Sequence, residues 1–308
     1  MNLKHLILCG GGAKGLCFIG ALNYIFKKID INNIQSYSGS SAGSIIAFFL
    51  NIGCTPKELK NIFFNLDLSN YTNIKFETII NDLGFDDCEK IINLLKSIMI
   101  SKGIDFNINF YNLYNITKKH LYITGTNLSN EKAEYFCYEN TPNMMIIDAI
   151  RISISVPILF TPINYNNNIY VDGAILSPYP NDYVKKKDGS KLGIMMSNKN
   201  KKKIKENYNE FNFYNYILKI INSSYNFYLN KKIKKYNDEI IKIKLNSYIN
   251  GYNLNKLTKK DFKIMYLSGI DSSIKYLKKN YNNYFIKKKY YNTWKKIYYN
   301  NWKKHIII

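Results

Sequence analysis

At 308 residues the chain is long enough to bury the core of one large α/β domain, and a single enzyme-sized domain is the simplest arrangement. The net charge of +22 is uneven: residues 1–197 carry 18 Lys/Arg against 16 Asp/Glu, and residues 198–308 carry 26 against 6, a field that attracts phospholipid or nucleic acid. No run approaches the roughly 18 apolar residues of a membrane span, and the five cysteines show neither metal-type nor paired spacing, which predicts buried free thiols in a reducing compartment.

In chain order, Leu3 to Cys9 reads as a buried strand that runs into Gly10-Gly11-Gly12-Ala13-Lys14-Gly15 and a helix from Leu16 to about Ile29. Glycines and Lys14 interrupt this apolar stretch, which argues against a signal peptide. Ile34 to Ser38 reads as a second strand, followed by Gly39-Ser40-Ser41-Ala42-Gly43 and an apolar helix. Thr55, Pro56 and Glu58 form a capping box for another. Asp86 or Asp87 opens a helix to about Ile100, with Ile91, Ile92, Leu94, Leu95 and Ile98 on its apolar side.

Leu121 to Thr126 and Ala133 to Tyr138 read as strands. Thr141-Pro142 caps a helix from Met144 to Ser155 that Val156-Pro157 ends. Asn168 to Val171 is a short strand stopping at Asp172-Gly173-Ala174, and Leu192 to Met196 is another. Asn198 to Glu210 reads as an exposed loop, Phe211 to about Tyr236 as a helix, Ile240 to Leu245 as a last strand and Asp261 to Lys279 as a last helix. Tyr281 to Ile308 forms a basic aromatic tail outside the 3–280 domain, read as a solvated or partly disordered end.

Three turns carry chemistry. Ser41 sits where a strand gives way to a helix with glycine two residues to either side, the setting of a nucleophile elbow, although the same five residues would also serve as a helix-capping turn. The Gly10 to Gly15 loop matches G-x-G-x-x-G, yet the second strand ends in the Ser41 turn rather than an acidic ribose ligand, and no Ser or Thr follows Lys14 as a Walker loop requires. What remains is a loop of backbone N–H groups beside a serine, which describes an oxyanion hole. His5 and His120 fall at strand starts and His305 in the tail, so none is placed as a base. Asp172 ends a strand and is expected on the sheet edge that carries Ser41, taking its proton directly.

Gly10-Gly11-Gly12-Ala13-Lys14-Gly15, Gly39-Ser40-Ser41-Ala42-Gly43 and Asp172-Gly173-Ala174, with the stretch Ala149 to Pro157 ahead of the last, resemble the motifs of patatin-like phospholipases in order and spacing. The resemblance spans residues 3 to about 280. It implies an α/β three-layer sandwich with a central mainly parallel sheet, related to α/β hydrolases. It implies a Ser41/Asp172 dyad needing no cofactor or metal, with oxyanion donors around Gly11, Gly12 and Ala13. Ala174 and the segment Ser177-Pro178-Tyr179-Pro180 depart from the usual pattern and are expected to bear on substrate choice.

The resulting expectation is a serine acyl hydrolase acting on glycerolipid or phospholipid esters through an acyl-enzyme. It is expected in the cytoplasm and at anionic membrane surfaces, docked by its Lys-rich C-terminal third. An acyltransferase using the same dyad is one alternative. A nucleic-acid binder whose basic aromatic tail stacks bases is another; a single arginine, Arg151, and no recognised motif speak against nucleic acid as a partner.

Overall fold

A computed structural model describes residues 2–65, 81–183, 190–197, 213–236, 239–245 and 257–281. The loop expected at 198–210 and the tail beyond Tyr281 lie outside the described residues. The first strand, β1 (Leu3–Leu8), has Leu3, Leu6, Ile7 and Leu8 fully buried, as a strand covered on both faces requires. It lies inside a parallel set that also holds β2 (Ser36–Gly39), β4 (His120–Asn127), β9 (Ser190–Ser197) and β10 (Ile240–Lys244), in the order β10-β9-β1-β2-β4.

Helices flank this sheet. A 3₁₀ turn over Gly12–Gly15 leads into α1 (Leu16–Ile25), which packs on the long last helix, α8 (Lys259–Asn280). The contact is close because Gly20 and Gly269 carry no side chains: a Cβ on Gly20 would sit 2.0 Å from the Tyr266 carbonyl oxygen. The second helix, α2 (Ala42–Asn51), lies against β1, β2 and β4, and is followed by α3 (Pro56–Asn65), whose Thr55/Glu58 capping box forms as expected. Next come β3 (Gly84–Asp86), α4 (Glu89–Ser101) and α5 (Phe110–Thr117), and, after β4, β5 (Lys132–Phe136) and α6 (Ile146–Ser153). The chain then forms β6 (Ile158–Phe160), β7 (Ile163–Tyr165) and β8 (Asn168–Asp172), and later α7 (Phe213–Lys235). Among the described residues no helix is long and apolar enough to cross a membrane.

The mainly parallel sheet matches the expected class, with three antiparallel strands added. β5 and β8 both run antiparallel to β4, and β7 antiparallel to β8. Ile123 of β4 pairs with Gly39 on one side and Phe136 on the other, and Gly125 pairs with both Glu134 and Asp172. A strand has two edges, so β5 takes one and β2 and β8 share the other. β2 and β8 therefore run head-on, Gly39 ending opposite Ile123 and Asp172 opposite Gly125.

Several expected boundaries move. α1 stops at Ile25 and turns rather than reaching Ile29, and α6 starts at Ile146 because the Thr141 hydroxyl accepts from Cys137 N–H instead of capping a helix from Met144. Asp86 and Asp87 divide the start of α4, accepting from the amides of Cys88 and Glu89. The last helix begins earlier than Asp261, at Lys259, because Thr258 and Asp261 form a reciprocal capping box. α5 and the three-residue strands β3, β6 and β7 had no signal in the periodicity.

Candidate active site

Ser41 caps α2 with φ +52° and ψ −131°, a backbone conformation that is strained for a residue with a side chain. Its glycine neighbours are a steric necessity. A Cβ on Gly39 would lie 2.4 Å from the Gly43 carbonyl oxygen, and one on Gly43 would lie 2.5 Å from that of Cys9. The turn thus folds back onto the end of β1, and Ser40 and Ser41 are both buried. Ala42 faces Gly15 across the turn, 3.2 Å from where a Cβ would stand.

The Ser41 hydroxyl donates to Asp172 Oδ2 at 2.6 Å, and the other carboxylate oxygen accepts from the Ala174 amide at 2.7 Å. Burial pushes the Asp172 carboxyl up to about 7; the bonds from Ser41 and Ala174 hold it from rising further. Gly173 has to be glycine because a Cβ would meet the Thr124 carbonyl oxygen at 2.2 Å. Asp172 does reach Ser41, but not as the end of a parallel strand: β8 is antiparallel and arrives from the opposite direction.

The C-terminal end of α6 holds both partners. Ser153 Oγ accepts from the Ser41 amide at 3.0 Å, the Ser153 carbonyl from Gly173 N–H at 3.3 Å, and the Ser155 carbonyl from Asp172 N–H at 2.8 Å. Arg151 steadies this end, donating to Ser155 Oγ and to the carbonyls of Asp87 and Thr161. These roles of Ser153 and Arg151 were not legible beforehand, because hydroxyls inside a helix carry no pattern that separates clamps from caps.

In the glycine loop, Gly12 has φ +52°, a left-handed value that favours glycine. The Gly10 amide donates to Pro178 O and that of Lys14 to Gly11 O, which removes both from the expected set of donors. The amides of Gly11, Gly12 and Ala13 have no protein acceptor among the described residues, and Gly11 and Gly12 border a small cleft with Ser41, Asp172, Ala174, Ile221 and Tyr225. Such amides can hold a developing negative charge. Pro178 and Pro180 accept from Gly10 N–H and Ser38 Oγ, and Tyr179 is fully buried against Gly193, so this departure from the usual motif serves packing.

On the other side of Ser41 opens an apolar cavity of about 140 Å³, lined by residues of the glycine loop, α1, α2, α3, α4 and the segment 154–160. Its lining is almost wholly apolar, the kind of surface that accepts a hydrocarbon chain. His5 bonds Ser36, and His120 lies with its Nδ1 2.9 Å from a Glu139 carboxylate oxygen, both near the amino-terminal starts of their strands and away from Ser41; His305 lies outside the described residues.

The family model for patatin-like phospholipases matches residues 6–185. The chain belongs to this family. Among its relatives, a probable lipid hydrolase of Invertebrate iridescent virus 6 is 38% identical over 185 residues, covering 58% of this chain and 62% of that protein. An uncharacterized protein of Acanthamoeba polyphaga mimivirus is 31% identical over 279 residues, covering 88% of this chain and 92% of its own length. The fold of this chain is also seen in solved structures. VipD from Legionella pneumophila superposes with a TM-score of 0.56 at 16% identity, over 91% of this chain and 67% of that one. ExoU, in its complex with SpcU from Pseudomonas aeruginosa, superposes with a TM-score of 0.50 at 16% identity, over 91% and 52%. At these identities the likeness to the solved structures concerns the fold.

Proposed function

We propose that this patatin-like chain is a serine acyl hydrolase that cleaves fatty-acyl esters of glycerolipids or phospholipids. The observation that carries the reading is the 2.6 Å bond from Ser41 Oγ to a buried carboxylate at the edge of an apolar cavity. Asp172, with a carboxyl that titrates near neutrality, takes the hydroxyl proton as Ser41 Oγ attacks the ester carbonyl. The amides of Gly11, Gly12 and Ala13 hold the oxyanion, and the acyl chain lies in the cavity. The C–O bond to the alcohol breaks, the alcohol takes the proton from Asp172 and leaves by the small cleft, and water repeats the sequence on the acyl-enzyme.

The enzyme works docked on anionic lipid, through α7. Tyr216, Ile220 and Phe227 lie on one stripe of this helix and are exposed, Phe227 by 64%. The helix carries five lysines and no acidic residue, while its inner side places Ile221 and Tyr225 beside Ser41. A charged face with exposed apolar side chains matches a negatively charged lipid surface. The five cysteines are buried free thiols, consistent with a reducing, cytoplasmic site of action.

Mass spectrometry after fluorophosphonate treatment tests the assignment: the adduct is expected on Ser41, and Ser41→Ala protein is expected to release no fatty acid from phospholipid vesicles. Undiminished release by the Ser41→Ala variant would overturn it.

A further inference from the structure

The glycine loop has a support that comes from far along the chain. Tyr225, on α7, donates its phenol to the Gly10 carbonyl at 2.5 Å across 215 residues, and the Cys9 thiol donates to the same oxygen at 2.9 Å. Burial pushes that thiol up to about 11, so it keeps its proton and remains a donor. The Gly10 oxygen belongs to the same peptide unit as the Gly11 N–H, one of the amides that borders the cleft beside Ser41 and Asp172.

Space dictates glycine here. A Cβ on Gly10 would lie 2.8 Å from Ala174 Cβ and 3.4 Å from Ser41 Cβ. A peptide flanked by two glycines has little of its own to resist rotation of its plane, so close approach to Ser41 costs the loop its rigidity. An anchor on the carbonyl oxygen restores it. Donation to a carbonyl also polarises the peptide and strengthens its N–H as a donor, by ~10–30% per bond in condensed-phase estimates. α7 is itself tied down, Lys232 reaching Asn181 at 2.9 Å and Asp182 at 2.8 Å, close after the Asp172 turn.

We propose that Tyr225 is a positioning residue for the oxyanion cradle: its phenol fixes the plane of the Gly10–Gly11 peptide and strengthens the Gly11 N–H that receives the developing charge at Ser41. The inference rests on the acyl-hydrolase reading above and adds a residue to it.

Tyr225→Phe keeps the ring and removes only the hydroxyl. With a soluble short-chain ester, kcat is expected to fall about 10-fold with KM nearly unchanged, less than the roughly 100- to 1000-fold that follows removal of an oxyanion donor outright. Inhibition by a trifluoromethyl ketone, whose adduct carries the oxyanion, should weaken by the same factor, a correlation that a merely structural role would not produce. Replacing Tyr225 by 3-fluorotyrosine, a more acidic phenol, should keep kcat at or above the unmodified value. Wild-type kcat in Tyr225→Phe, or a kcat loss without the matching loss of ketone affinity, would overturn the role. If Tyr225→Phe fails to fold, the fluorinated protein decides: kcat well below the unmodified value overturns it, and kcat kept or raised supports it. Activity remaining in Ser41→Ala would instead remove the acyl-hydrolase reading, whereas an inactive Ser41→Ala beside a fully active Tyr225→Phe removes the Tyr225 role alone.

Discussion

Ser41 and Asp172 stand 131 residues apart in sequence and share a 2.6 Å hydrogen bond, because β2 and β8 run head-on along one edge of β4. Each residue lies at or just beyond the end of its strand. The gap between those ends, opposite Thr124, is closed by the two glycine-lined turns and by the C-terminal end of α6. The pair is therefore set by pairing register, and a slip of either strand along β4 would part it.

The carboxyl of Asp172 has to be ionised to accept a proton, so kcat/KM on a soluble ester should rise with pH through an inflection near 7. Asp172→Asn should abolish that inflection and lower turnover by about 100- to 10,000-fold. A pH–rate series on both proteins checks this.

The same group links stability to pH. The folded carboxyl holds its proton to about pH 7, whereas the unfolded one releases it near 3.8, so between these values the folded chain binds more protons and its stability falls as pH rises. The accumulated loss is on the order of 4 kcal/mol above pH 7. Asp172→Asn is spared it. Its melting temperature should exceed that of the wild type at pH 8 and approach it towards pH 4; a constant difference across that range would contradict the assignment of this carboxyl.

Backbone strain at Ser41 predicts an inverted order of stabilities. Glycine normally lowers stability relative to alanine, but at φ +52° and ψ −131° it relieves strain worth about 1–3 kcal/mol. Ser41→Gly should unfold at higher denaturant than Ser41→Ala, with both inactive. Equal midpoints would mean that the turn is unstrained.

Removing the Ser153 hydroxyl leaves the buried Ser41 N–H without its acceptor, at a cost of about 1–3 kcal/mol. Ser153→Ala should therefore lower both the melting temperature and the rate of fluorophosphonate labelling. Ser153→Thr, which keeps an acceptor, should recover part of each.

Ile91 of α4 lines the apolar cavity. Ile91→Trp should cut kcat/KM for long-chain nitrophenyl esters while sparing the acetate, because only a long acyl chain needs the filled volume. Parallel losses for both esters would place the chain elsewhere.

Docking through α7 has its own measurement. Lys231→Gln, Lys234→Gln and Lys235→Gln together should weaken co-sedimentation with phosphatidylserine vesicles, by about 1 kcal/mol per lysine near the surface, and Phe227→Ser should weaken it further. Turnover of a soluble ester should not change. Binding indifferent to all four substitutions would move the docking surface off this helix.

Much of this protein was legible in one dimension. Glycines at 39 and 43 around Ser41, a glycine loop after a buried strand and an aspartate before Gly173 are local patterns, since each turn is set by what its own few residues can and cannot accommodate. The apolar runs of β1 and α2 likewise announce buried elements. Strand direction is not local: Asn168 to Asp172 reads the same whether it pairs parallel or antiparallel, and only the register with Gly125 showed that β8 meets β2 head-on. The support that Tyr225 gives Gly10 was invisible for a related reason, as one tyrosine among 28 carries no distinguishing pattern. Contacts between residues hundreds of positions apart depend on how whole elements pack, and that is decided by the burial of the complete core.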